Sequence, residues 1–153
     1  MADVFSKRKR SEVMSRIRGR GNLETEVALA RLLRKHGISG WRRHMAITGR
    51  PDFAFRRERV AVFVDGCFFH RCPQHSNLPA TNARFWRKKL TANKRRDRFV
   101  NHSLRRQGWV VLRIWEHELR KNRDNCVAKL QALLTAGRRR MSVLDAEIRE
   151  TVK

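Results

Sequence analysis

Val60-Ala61-Val62-Phe63-Val64 is an unbroken β-branched and aromatic run in a chain where 33% of residues are charged. A strand that is apolar on both faces must be covered on both faces, so it calls for a sheet inside the molecule with helices on either side. Asp65-Gly66 ends the run. Val110-Val111-Leu112-Arg113-Ile114-Trp115 has the same character and predicts a second buried strand. Upstream, Thr48-Gly49-Arg50-Pro51 reads as a turn, Asp52-Phe53-Ala54-Phe55 leads into a short strand, and Arg56-Arg57-Glu58-Arg59 turns the chain back into the Val60 run. Leu29, Leu32 and Leu33 share one face of a helix capped by Asn22, with Glu24 and Glu26 in its first turn and Gly37 at its end. Residues 83–107 predict one long basic helix closed by Gly108, and residues 118–136 a last amphipathic helix closed by Gly137. The order is helix, strand hairpin, helix, strand, helix, without repeat or linker. It predicts a single α/β unit with a mixed central sheet flanked by helices. We divide the chain into a basic segment 1–21, a domain 22–137, and a tail 138–153 to which the sequence assigns no role.

Charge narrows the partner. The 37 Lys and Arg against 14 Asp and Glu give +23, and the basic residues run from Lys7 to Arg140 rather than collecting in one tail. Disorder is the plain alternative, but four Trp, eight Phe and the apolar runs argue for a packed core. A folded body this basic repels itself unless a polyanion neutralises it, and nucleic acid fits best. No strongly apolar amphipathic helix accompanies the charge, and no stretch of 18 apolar residues exists, so we expect no membrane partner. The opening MADVFSKRKR lacks the apolar core of a signal peptide. Three Cys, two of them close together, favour metal binding in a reducing compartment over disulfides, and we expect a cytoplasmic, bacterial-type, nucleoid-associated chain.

Two constellations could carry chemistry. Asp52 follows Pro51 and opens a strand, and Asp65 ends the next one. Carboxylates so placed in a basic protein hold a divalent cation against a phosphate, or else cap a turn and pair with Arg. Cys67-x4-Cys72-x2-His75 places two thiols and an imidazole within nine residues, and His117 lies just beyond the second core strand. Zinc takes four such donors in a tetrahedron. His117 reaches the site if the two core strands are parallel neighbours. Cys126 is the rival fourth donor, His70 has compatible spacing too, and free buried Cys with a solvated His is the metal-free alternative. Phe68-Phe69 and Trp86 are either core or apolar wedges for base steps. Phe85, Phe99, Trp109 and Trp115 read as core.

Taken together, the strings GRPDF at 49–53, VFVDGCFFHRCPQH at 62–75, FW at 85–86, the spaced Asn93 and Arg96-Asp97, and GWVVLRIWEHEL at 108–119 resemble the very-short-patch-repair (Vsr) mismatch endonucleases, from about Ser6 to Leu134. The resemblance implies a restriction-endonuclease-like fold with a structural zinc loop. It implies a nick beside the T of a T·G mismatch left by 5-methylcytosine deamination in double-stranded DNA. Asp52 and the Val64 carbonyl would hold Mg2+, His70 would act as general base, and Glu26 would support the hydrated metal site. Cys67, Cys72, His75 and His117 would bind zinc. Met14, Ile17, Phe68, Phe69 and Trp86 fall where the family inserts apolar groups into DNA, the first two toward the minor groove from a DNA-contacting segment 1–21. Lys89 and Asn93 fall where it meets the mismatch. Asp65 stands where some members have His, and we expect it to assist the metal site. Phe69 stands where Trp is common. We expect a monomer. The rival readings are a non-catalytic zinc module that binds nucleic acid, which leaves Asp52 and His70 without a purpose, and a restriction-type nuclease of the same fold with another substrate.

Overall fold

The computed structural model describes residue 8, residues 25–75 and residues 77–151. Met14, Ile17 and the Asn22 cap with Glu24 lie outside the described residues. The elements run α1 (Glu26–Lys35), β1 (Trp41–Arg43), β2 (Phe53–Phe55), β3 (Val60–Asp65), α2 (Ala83–Arg106), β4 (Val110–Trp115), α3 (Glu116–Lys121) and α4 (Arg123–Thr151).

The four strands form one mixed sheet in the order β1-β2-β3-β4. The first two pairings are antiparallel, and β3 lies parallel to β4, Val60 opposite Val110 and Asp65 opposite Trp115. A parallel pair needs a crossover, and α2 supplies it. Alternate residues then face opposite sides. Phe53, Phe55, Val60 and Val62 pack with Leu29 and Leu33 of α1 and with Val127, Leu130 and Leu134 of α4. Ala54, Ala61 and Phe63 pack with Val100 and Leu104 of α2 and with Trp109. Both faces of β2 and β3 are thus covered, as their unbroken apolar character requires. Full burial of Phe53 or Phe55 contributes about 1.5–3 kcal/mol.

Three expectations change. Residues 41–43 form an edge strand that the sequence pattern did not reveal, because only Trp41 among them is apolar. The last helix does not stop at Gly137. It runs on to Thr151, so the tail is helical through most of its length. Gly137 is a packing residue: a Cβ there would stand 2.6 Å from the Glu58 carbonyl oxygen, so only glycine lets the helix meet the β2–β3 turn. Phe85 and Phe99 are exposed at 57% and 66% rather than core, since α2 turns Val100 and Leu104 to the sheet instead. Trp109 is buried as expected, and Trp115 is half-buried. Among the described residues no helix is long and apolar enough to cross a membrane.

Candidate active site

Asp52 sits at the entrance to β2, and its Oδ2 accepts the Val64 backbone N–H of the adjoining strand at 2.7 Å. That bond ties the carboxylate to the end of β3, where the sheet opens into a cleft of about 900 Å3. Burial pushes the Asp52 carboxyl up to about 6; the Val64 N–H opposes the shift and the Glu26 charge adds to it. Glu26, in the first turn of α1, is buried and faces the same cleft. Its Oε2 accepts from Arg43 and lies 3.2 Å from His44 Nε2. One donor atom from each of Glu26, His44 and Asp52 lies within 4.8 Å of the others, a group that could hold a metal ion.

His70 comes from the loop after β3. Its Nδ1 is 2.7 Å from Asp97 Oδ2 on α2 and 3.7 Å from Asp65 Oδ1. Burial raises the Asp97 carboxyl, but the hydrogen bond and charge of His70, together with Arg113 and Arg96, outweigh it and hold the group below its ordinary value. An ionised carboxylate only accepts, so Nδ1 carries the proton and Nε2 of the neutral ring is left as a base. Arg113 on β4 braces this arrangement. Its Nη1 donates to both Asp65 oxygens at 2.8 Å, its Nη2 to Asp97 at 3.3 Å and its Nε to Asn101 at 3.0 Å. Asp65 is buried against Arg113; it lines the same cleft as Asp52 but lies outside the Glu26–His44–Asp52 group.

Beside the cleft, Cys67, Cys72, His75 and His117 bring four donors within 4.8 Å of one another, a second group that could hold a metal ion. The sulfur of Cys67 is 3.2 Å from His117 Nδ1, and that of Cys72 is 3.5 Å from His75 Nδ1 and 3.6 Å from His117 Nδ1. Burial, with the charges of Cys72 and Glu116, pushes the Cys67 thiol up, although its sulfur accepts a hydrogen bond from the His117 backbone N–H that opposes the shift. His117 arrives here because β3 and β4 are parallel and because Glu118 accepts the Trp115 N–H at 2.9 Å, turning the chain from β4 into α3. Cys126 is buried elsewhere, in the core under α4, and is not in the group.

Phe68 packs edge-on against Phe69 and against Trp86, with ring centroids 5.1 Å apart in each pair. All three rings line the cleft and are half-buried. Lys89 Nζ lies over Trp86 at 5.5 Å. Asn93 donates to the Phe69 carbonyl at 3.1 Å, which ties the aromatic loop to α2. The structure thus gathers Glu26, Asp52, Val64, Asp65, His70, Phe68, Phe69, Trp86, Lys89 and Asn93 around one cleft. Sequence reasoning missed Arg43, His44, Arg113 and the function of Asp97. Asp97 did stand in one of the strings that carried the resemblance, and its scarcity as an acid on a basic helix was the available signal.

Comparison with known proteins follows the same line. Residues 2–76 match the family model described as DNA mismatch endonuclease Vsr. The DNA mismatch endonuclease Vsr of Escherichia coli (strain K12) is 39% identical over 123 residues, 78% of this chain and 77% of that protein. A type II nicking enzyme, V.NmeDIP, of Neisseria meningitidis serogroup C is 34% identical over 84% of this chain and 88% of its own. Another, V.NaeI, of Lentzea aerocolonigenes is 55% identical over 69 residues, a match that spans 45% of this chain and 42% of that relative. With these matches and a cleft that joins acidic residues to a histidine–aspartate pair, the chain belongs to the Vsr family of DNA mismatch endonucleases.

Proposed function

We propose that this chain nicks one strand of duplex DNA beside the T of a T·G mismatch left by 5-methylcytosine deamination, by Mg2+-dependent phosphodiester hydrolysis, in very-short-patch repair. The observation that carries the reading is the convergence on one cleft of Asp52, Glu26 and a His70 whose Nδ1 is held 2.7 Å from Asp97. A restriction-endonuclease-like fold fits the hairpin that presents Asp52 at its entrance and the adjoining end of β3 beside it.

Asp52 and the Val64 carbonyl would hold the catalytic cation, with Glu26 beside them. Two carboxylates that face each other in a partly desolvated cleft suit a small hard cation. Mg2+ bound there supplies Lewis-acid polarisation of the phosphoryl group and neutralises developing charge. His70 Nε2 takes the proton of the attacking water, while Asp97 fixes the ring's tautomer and supports the imidazolium that forms. Arg113 holds Asp97 and Asp65 in place by the bonds described. Arg50 and Arg96 line the same cleft and hold the DNA backbone, while Lys89 and Asn93, which line it too, meet the mismatch. Phe68, Phe69 and Trp86 enter the base stack beside the mismatch, where unstacking costs least.

Zinc fits the second group. Sulfur and nitrogen ligands at about 2.3 and 2.0 Å from a tetrahedral zinc stand about 3.5 Å apart, against 3.2, 3.5 and 3.6 Å here. Four protein donors close the site, so its role is to hold the loop that carries His70, Phe68 and Phe69. We read residues 1–21 as a DNA-contacting segment, with Met14 and Ile17 toward the minor groove, and residues 22–137 as the endonuclease domain of a monomer acting in the cytoplasm at the nucleoid.

A panel of duplexes bearing each mismatch, incubated with Mg2+ or with EDTA, tests this reading. We expect a nick only in the T-containing strand of T·G duplexes and only with Mg2+. Equal cutting of fully paired DNA would make this a restriction-type nuclease, and binding without any nick would make it a zinc-containing nucleic-acid-binding module.

A further inference from the structure

His44 has no part in the scheme above, and its placement calls for one. It follows β1 and holds a left-handed backbone, φ 49°, a strained state for a residue with a side chain. Its side chain is 24% exposed and reaches Glu26, with Nε2 3.2 Å from Oε2. An ordinary His–Glu ion pair is the simplest account. However, the same Glu26 oxygen already accepts from the Arg43 guanidinium, so the imidazole is not needed to neutralise it. The ring also lies close to Asp52: its nitrogen, a Glu26 oxygen and an Asp52 oxygen all fall within 4.8 Å of one another. Two carboxylates and an imidazole that converge from α1, the β1–β2 connection and the start of β2 are a mixed oxygen and nitrogen donor set.

The geometry points to His44 as a ligand of the cleft cation, which makes this a centre with one nitrogen donor. The inference rests on the cation reading of the cleft and extends it to the class of ion. Mg2+ prefers oxygen donors and keeps several waters, whereas first-row transition ions gain from an imidazole. The site therefore binds Mn2+ more tightly than Mg2+, with His44 the source of the difference.

Mn2+ provides the probe, added to the full chain with its Cys/His site loaded with zinc so that those histidines are occupied. Electron paramagnetic resonance counts bound Mn2+, and its electron spin-echo modulation reports directly coordinated 14N. Wild type should bind one Mn2+ with 14N modulation. Asp52→Asn should lose that ion. His44→Asn, chosen because Asn tolerates the left-handed backbone, should lose the 14N modulation and weaken Mn2+ by about tenfold. Mg2+ affinity, read by competition, should change much less. The thermal midpoint of each variant confirms that it folds. If Asp52-dependent Mn2+ shows no 14N modulation, or keeps it in His44→Asn, the His44 inference falls and the cation reading stands. If wild type and Asp52→Asn bind Mn2+ alike, both fall.

Discussion

At the scale of single residues, the cleft divides its polar groups between two tasks. His70 is fixed by Asp97, and Asp97 by Arg113, so the imidazole is presented in one tautomer. His70→Ala should lower single-turnover nicking by about 10²–10⁴ while DNA affinity holds. Asp97→Asn should cost less, because the ring keeps a partner of the same shape but loses its fixed tautomer. A His70→Ala variant that nicks at the wild-type rate would remove the general base from the scheme. Asp52 makes a pH prediction. Its carboxyl rises from 3.8 to about 6 in the folded chain, so between those values the folded state binds a proton more firmly than the unfolded one. Stability of the metal-free protein therefore falls as pH rises from about 4 through 6, and levels above. Asp97, whose value is depressed, contributes with the opposite sign, its stabilisation falling away as pH drops toward and below its ordinary value near 3.8, so it opposes the Asp52 slope only at the acid edge of this window. Cation binding needs the ionised Asp52, so affinity should climb about tenfold per pH unit below 6 and then flatten. Titration calorimetry across pH 4.5–8 tests it, with Asp52→Asn expected to lose both dependences.

At the scale of elements, one loop carries both the base and two rings of the aromatic cluster, Phe68 and Phe69, and it has little regular structure of its own. The Cys/His group and the Asn93 bond to the Phe69 carbonyl hold it. Metal analysis should find one zinc per chain. Cys67→Ser or Cys72→Ser should lose the ion and lower the thermal midpoint, since a structural site contributes folding free energy. Cys126→Ser should keep the ion, because that thiol sits in the core away from the group. Retention of zinc by Cys72→Ser would overturn the ligand set. Phe68 separates wedge from core. It is half-buried and packs edge-on against Phe69 and Trp86. Phe68→Ala should cost well below the roughly 3–5 kcal/mol of a fully buried Phe, yet sharply reduce nicking of mismatched DNA. A base analogue beside the mismatch should brighten with wild type and stay quenched with the variant.

Across the whole molecule, charge decides the mode of association. With +23 on 153 residues, a phosphate backbone is the neutralising partner, and each neutralised phosphate adds about 0.9 to the slope of log affinity against log salt. Contact with six or more phosphates would lower affinity by roughly a thousandfold between 50 and 200 mM salt. A binding titration with a slope near zero would assign the surface charge to another partner.

Much of this was legible in one dimension because it depends on local pattern. The apolar runs at 60–64 and 110–115 demanded a covered sheet, Gly108 closed the long helix, and Cys67, Cys72 and His75 lie close enough in sequence to meet around one ion. Other features depend on which elements become neighbours, and local pattern is silent on that. His117 joins the Cys/His group only because β3 and β4 are parallel and adjacent. Gly137 looks like a helix end until the Glu58 backbone is found against it. Asp65 is bound by Arg113, 48 positions away, a partner that spacing along the chain does not reveal. The sequence by itself determined the hairpin and the two core strands, the helices that cover them and most of the donors available for chemistry. Which donors share a site was settled only by tertiary packing, because contacts between distant segments follow from how the layers cover one another and not from spacing along the chain.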